Sequence, residues 1–180
     1  MTVLMDIIKE RRSIRKYEDK EVSDEQLNRV FESIRWAPSW ANTQCWEIIV
    51  VKEPEIKEQL QGLSRAKNPS AKAMIQAPVV FVVCVKLQSS GYYKGQVTKK
   101  FGDWFMFDLG IACQNLCLTA YRHGLGTVIV GLYDHQKAGE ILKVPQGYEQ
   151  VVLIPMGYPA KISTAPTRRE VAEFIHHNTF

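Results

Sequence analysis

The feature that most limits the possible folds is the run from Asp103 to His123, which has helical length and is apolar on nearly every side. A helix without a polar face needs protein around most of its circumference, so it must sit at the centre of the fold. Its longest apolar portion, Trp104 to Ala120, is interrupted by Asp108, Gln114 and Asn115. Polar groups at that depth in a bilayer are costly, so the run reads as a buried helix and not as a membrane span. Gly124 follows at the C′ position, where a left-handed residue commonly ends a helix.

The other segments supply the layers that enclose this helix. Leu4, Ile7 and Ile8 at helical spacing predict a short amphipathic helix that ends near Arg12. Ser23 followed by Gln26 matches a capping box, and Leu27, Val30, Phe31 and Ile34 continue as one stripe until Pro38 stops the helix. The β-branched run Ile48 to Val51 predicts a strand over Glu47 to Lys52, and further strands are expected over Pro78 to Val85, Thr127 to Leu132 and Gln150 to Met156. Pro54 opens a helix to about Leu60, Ala71 to Gln76 forms a helical turn, and Asp134 caps another helix. Gln88 to Lys100 has no period and reads as a loop, and Val171 to Ile175 could pair as a strand. Strands and helices do not alternate regularly, so the string is α+β with four or five strands and helices packed on them. One domain over residues 1–180 accounts for the length. The tail from about 160 to 180 has little to bury and is expected to lie across the partner in a symmetric dimer.

Composition removes several function classes. Apolar residues make up 46% and charged residues 23% of the chain, as in ordinary soluble domains. A net charge of +4, with acidic residues among the basic ones, is too weak a footprint for nucleic acid. Met1 to Glu10 lacks an apolar secretory core, so the cytoplasm is the expected compartment and no membrane partner is expected. Cys45, Cys84, Cys113 and Cys117 form no CxxC pair and have no histidine at metal spacing, so they read as reduced packing residues and no metal is expected. No GxGxxG, Walker, GxSxG or HExxH sequence occurs.

Two segments can carry chemistry. Arg11-Arg12-Ser13-Ile14-Arg15 places three guanidinium groups and a hydroxyl at a helix end. Arginine suits bidentate phosphate capture, but the cluster also fits a solvated cationic turn with Glu18 and Asp19 nearby. Ala37 to Trp46 lies between helix and strand, is rich in side-chain donors and carries two tryptophans. Such a segment can recognise the polar edge of a heterocycle and cover its face, or it can bond to its own backbone as a turn.

Together these segments carry a resemblance. Arg-Arg-Ser-Ile-Arg-Lys-Tyr at 11–17 and Ala-Pro-Ser-Trp-Ala-Asn-Thr-Gln-Cys-Trp at 37–46 resemble the opening of the nitroreductase family. Asp108-Leu-Gly-Ile-Ala-Cys-Gln-Asn-Leu-Cys-Leu-Thr-Ala with Gly124-Leu-Gly-Thr resembles its central helix and the strand after it. Pro155-Met-Gly-Tyr-Pro and the pair Arg168-Arg169 resemble its end, so the likeness runs from about Ile7 to Glu170. One departure is Cys45, where the family commonly has proline; it bears on loop rigidity and on the reactivity of that thiol.

The resemblance implies a central, largely antiparallel sheet wrapped by helices, in an intertwined homodimer with FMN at the interface. It implies that Arg11, Arg12 and Ser13, joined by Arg169 and Arg168, hold the FMN phosphate, with Arg15 at the pyrimidine edge and Lys72 approaching the cofactor. Pro38, Ser39, Trp40 and Asn42 would close over the ring from the other subunit. Ile129, Val130, Gly131 and Leu132 would line the opposite face, with the Gly131 N–H near flavin N5. Hydride would come from NADH or NADPH and leave for a nitroaromatic, quinone or similar small acceptor in a ping-pong cycle, with no side chain needed as acid or base. The alternatives are flavin cleavage or reductive dehalogenation on the same fold, or a flavin-binding redox sensor without turnover.

Overall fold

The computed structural model describes residues 3–65, 68–98 and 100–180. Lys99, inside the loop expected over 88–100, lies outside the described residues, as do Met1, Thr2, Ala66 and Lys67.

The strands among the described residues are Trp46–Val51 (β1), Val79–Lys86 (β2), Tyr92–Tyr93 (β3), Gln96–Val97 (β4), Gly126–Thr127 (β5) and Tyr148–Gly157 (β6). Four form an antiparallel sheet in the order β1-β2-β6-β5, and β3 pairs with β4 alone. The helices are Val3–Glu10 (α1), Asp24–Arg35 (α2), Pro54–Gly62 (α3), Ala71–Gln76 (α4), Phe105–Arg122 (α5) and His135–Ile141 (α6). The α+β reading with an antiparallel sheet therefore stands.

Strand β2 is nearly all β-branched or aromatic because it is buried on both faces. Val79, Phe81, Val83 and Val85 meet α2 (Leu27, Val30, Ile34) and α5 (Leu109, Ala112, Leu116, Ala120). Val80, Val82 and Cys84 meet α3 (Leu60), α4 (Ala73, Met74) and α6 (Ala138) on the other face. Helices thus cover both faces of the sheet. Leu116 is fully buried, and Leu116→Ala would cost about 2–5 kcal/mol through lost transfer energy and the cavity left behind. The two local signals read from sequence appear as built motifs. Ser23 and Gln26 form the capping box on α2. Gly124, at φ 76°, closes α5 in a Schellman motif, with Leu125 N–H bonding the Ala120 carbonyl and Gly124 N–H that of Tyr121.

Three expectations need correction. The strand expected over Thr127 to Leu132 is a ladder only at Gly126–Thr127, followed by an isolated bridge from Val130 to Leu153. Partner numbers stay in register (Thr127 with Met156, Val130 with Leu153), and burial still alternates from Val128 to Val130. The periodicity reported that alternation, which does not require continuous ladder bonding. Val171 to Ile175 is not a strand: Val171–Glu173 is one 3₁₀ turn, and residues 160–180 are exposed and pair with no strand among the described residues. The 88–100 segment contains the β3–β4 hairpin, turned by Lys94 and Gly95, both at positive φ.

Candidate flavin site

Arg11 to Tyr17 runs beside the sheet edge. Ile14 N–H bonds the Thr127 carbonyl at 2.9 Å, Ser13 bridges Thr127, and Tyr17 bridges Pro159. Ile14 and Tyr17 point into the core while Arg15 and Lys16 are exposed, so the cluster is divided between two environments. The Tyr17 hydroxyl reaches the carbonyls of Ile14 (2.8 Å) and Pro155 (3.0 Å), which ties the corner to β6. Burial pushes its ionisation well above the ordinary phenol range. Gly126 permits this docking. A Cβ there would lie 2.3 Å from Ile14 Cγ1, so only glycine fits beneath the arginine segment.

The three arginines behave differently. Arg12 spends its guanidinium on the Lys9 (2.5 Å) and Arg11 (2.8 Å) carbonyls, satisfying the C-terminal end of α1. Arg11 makes no side-chain hydrogen bond among the described residues, which leaves it the open cation of the corner. Arg15 donates from Nε to Ser70 Oγ at 3.1 Å, just before α4, which carries exposed Lys72 in its first turn. Asn68 accepts from the Ser70 N–H (2.9 Å) and donates to the Leu132 carbonyl (3.3 Å). The segments around Arg15, Lys72 and Leu132 therefore meet in one place. Asn68 and Ser70 were not singled out from sequence, because nothing local marks a contact spanning 55 residues.

Ile129 and Leu132 are about half exposed and Gly131 is exposed, whereas Val130 is buried in the core. Val130 can therefore line a ring face only with its backbone. Its carbonyl accepts from Leu153 N–H at 2.9 Å. In a trans peptide the C=O and the following N–H point oppositely, so the Gly131 N–H is directed away from β6. His135 Nε2 lies 3.1 Å from the Gly131 carbonyl and Nδ1 3.1 Å from that of Gln150, bracing this stretch.

The segment with Pro38, Ser39, Trp40 and Asn42 stands elsewhere in the same protomer. It precedes β1, at the sheet edge opposite β5, and is fastened to α5. Arg15, by contrast, reaches α4 on the other face. Three strand spacings, about 14 Å, separate the two edges. Trp40–Asn42 forms a 3₁₀ turn, and Ala41 (φ 46°), Asn42 (φ 55°) and Gln44 (φ 46°) are left-handed although none is glycine. Each such residue costs on the order of 1–3 kcal/mol and persists only where its surroundings hold it. Asp108, 1% exposed in the first turn of α5, is that support. Its carboxylate accepts from Trp40 N–H (3.1 and 3.2 Å), Ser90 Oγ–H (2.6 Å) and Cys45 Sγ–H (3.8 Å). Sequence reasoning quoted Asp108 without giving it a role; a lone carboxylate in an apolar helix was the available signal. Burial, then the Asp108 charge, pushes the Cys45 thiol up to about 12, so it is not poised as a nucleophile. Arg168 and Arg169 sit in the exposed arm, bonding Pro166 and Glu173, and are not brought to Arg11 within one protomer.

Among the described residues no helix is long and apolar enough to cross a membrane. The family model described as the nitroreductase family matches residues 8–158. A protein of Methanothermobacter thermautotrophicus, provisionally named NADH dehydrogenase/NAD(P)H nitroreductase, is 32% identical over 88% of this chain and 78% of its own length. The iodotyrosine deiodinase of Nematostella vectensis is 27% identical over 93% of this chain and 72% of its own. The solved FMN-dependent nitroreductase of Clostridium difficile R20291 superposes with a TM-score of 0.81 at 26% identity, covering 98% of this chain and 99% of that one. With a family model spanning most of its length and a relative 32% identical over most of both chains, the chain belongs to the nitroreductase family.

Proposed function

We propose that the protein is an FMN-dependent NAD(P)H oxidoreductase that works as a homodimer and reduces nitroaromatics, quinones or similar small acceptors by a ping-pong cycle. The observation carrying this reading is the meeting of Arg15, held by Ser70, with the segment that carries Lys72 and with exposed Ile129, Gly131 and Leu132. The residues present suit the cofactor: cations for a phosphate, an apolar surface for a ring, and a backbone donor directed off the sheet.

When bound, FMN supplies the redox chemistry, taking hydride from the nicotinamide and passing electrons to the acceptor. Arg11 and Ser13 bind the phosphate, with Arg12 holding the helix end beside them. Arg15, steadied by Ser70, places fixed positive charge where the reduced ring gathers negative charge. The Gly131 N–H, directed off the sheet, would be the donor to flavin N5. No side chain is assigned as an acid or base.

The same geometry supports a dimer. Pro38, Ser39, Trp40 and Asn42 are held at the opposite edge and face from Arg15, a placement that suits them to the flavin of a second copy. Exposed Val3, Leu4, Met5 and Ile8 on α1, with Met106 and Phe107 on α5, offer apolar surface for that contact. The arm from 160 packs across the same partner and brings Arg168 and Arg169 to the phosphate. Four free, buried thiols suit the reducing cytoplasm.

The test is a visible spectrum of the purified protein before and after anaerobic NADH or NADPH. Yellow protein that bleaches supports the reading; protein that is colourless and stays so with added FMN overturns it. A second reading, reductive dehalogenation at the same site, has the deiodinase relative behind it. Anaerobic turnover of a halogenated phenol in preference to nitro and quinone acceptors would select it. Flavin-loaded protein that oxidises neither nucleotide would instead be a redox sensor.

A further inference from the structure

We propose that Asp108 is a positioning residue: its carboxylate fastens the Trp40 turn and the Ser90 loop to the central helix, and so sets the clamp that closes on the flavin ring. This rests on the reading that Pro38 to Asn42 cover the flavin of a second copy. Three observations carry it. The carboxylate is 1% exposed yet has no cationic partner among the described residues. It is held instead by two hydroxyl or thiol donors, one backbone amide and the positive end of α5. The donors come from separate chain segments, Trp40 and Cys45 before β1 and Ser90 after β2, so one group sets both segments against α5.

The second observation is the conformation it supports. Ala41, Asn42 and Gln44 are left-handed, and the bonds inside the turn are few: Asn42 N–H to Ser39 carbonyl, Thr43 N–H to Trp40 carbonyl, Gln44 N–H to Ser39 Oγ and the Gln44 side-chain amide to Asn42 Oδ1. Those bonds shape the turn but do not attach it to the helix. The Trp40 amide to Asp108 does.

The third is the make-up of the turn it fastens: Pro38 to Trp46 carries two tryptophans and no lysine or arginine, so it offers cover for a ring and no cation for a phosphate. Asp108 therefore acts on the ring and not on the phosphate.

The experiment strips flavin from the full-length protein and titrates FMN and riboflavin back onto wild type, Asp108→Ala, Asp108→Asn and Ser90→Ala. Asp108→Ala should weaken FMN and riboflavin by the same factor of about 10, as for loss of one charge-assisted hydrogen bond. Asp108→Asn keeps an oxygen for the Trp40 amide and should return to within about 3-fold of wild type. A merely structural role would leave the visible spectrum of whatever flavin still binds as in wild type, whereas a displaced clamp in Asp108→Ala should shift that spectrum and Asp108→Asn should restore it. Folded Asp108→Ala with unchanged flavin affinity overturns the proposal, as does a loss confined to FMN. If Asp108→Ala does not fold, Ser90→Ala decides: about 3-fold weaker binding of both flavins sustains the proposal, and no change overturns it. Wild-type protein that takes up neither flavin overturns the proposed function and this inference together, whereas binding by wild type with no effect in the variants overturns the inference alone.

Discussion

Arg15 and Ser70 are 55 residues apart in sequence, yet the guanidinium Nε donates to the serine hydroxyl at 3.1 Å and that serine is 6% exposed. The bond fixes the direction of a cation that would otherwise sweep through solvent. With Arg15 at the pyrimidine edge, Arg15→Gln removes a charge-assisted contact worth about 1.5–3 kcal/mol to the reduced ring. For a two-electron couple that is a fall of roughly 30–60 mV in the flavin midpoint potential. Ser70→Ala should lower it less, because the charge stays while its orientation loosens. Spectroelectrochemical titration measures both, and an unchanged potential in Arg15→Gln would remove Arg15 from the ring edge.

Arg11 and Arg12 are neighbours with different employment, and their variants should separate. Arg11→Ala should weaken FMN by about 1.5–3 kcal/mol, roughly 10- to 100-fold, and leave riboflavin nearly untouched. Arg12→Ala removes the donor to the Lys9 and Arg11 carbonyls, so its main effect should be fraying of α1 with a smaller loss of FMN. Fluorescence titration with the two flavins gives the answer. Equal losses of both flavins in Arg11→Ala would place that side chain away from any phosphate.

How far the sequence was legible depends on the distance over which each signal acts. The Ser23–Gln26 box and the Gly124 stop are complete within a few residues, and both were readable. Phe174 and Ile175 have β-forming side chains, but a 3₁₀ turn closed by Phe174 N–H on the Val171 carbonyl takes the chain there, and the arm joins no ladder among the described residues. The hairpin at Tyr92–Val97 went unread because Lys94-Gly95 lacks the Asn or Asp that usually marks such a turn. At the site, the arginine cluster and the Trp40 segment were visible as compositions. Ser70, Asn68 and Asp108 were not, since their roles exist only once distant segments meet.

Gly126 gives a steric prediction. Its absent side chain leaves the space filled by Ile14, whose Cγ1 and Cβ would stand 2.3 and 2.7 Å from an added Cβ. Ile14 is buried and cannot swing away, so Gly126→Ala should push the arginine segment off β5 and cost about 1–3 kcal/mol, as overpacked sites do. FMN affinity should fall with it. Trimming the neighbour restores room, so Ile14→Ala in the Gly126→Ala background should be less harmful than the sum of the two single changes. A double-mutant cycle by chemical denaturation reads the coupling. Strict additivity would mean that the two side chains do not contend for the space.

The four thiols predict an alkaline limit to stability. Desolvation by burial pushes Cys45 and Cys113 up to about 12 and Cys84 up to about 11, and raises Cys117 as well. Unfolded thiols ionise near pH ~8.5. Between those values the folded state holds protons that the unfolded state has released, so the unfolding free energy falls as pH rises. The stabilisation is complete below the unfolded value and is lost on the way up to the folded ones, at about 1.4 kcal/mol per thiol per pH unit. Raised Tyr17 and Tyr133 act in the same sense further up the scale. The urea midpoint should therefore stay level from about pH 6 to 8 and drop steeply between roughly pH 9 and 10.5. Replacing Cys45 by serine and Cys113 by alanine together should flatten that drop, because two of the groups that release protons on unfolding are gone. Equal midpoints on either side of pH ~9 in the wild type would show that the thiols ionise as readily folded as unfolded.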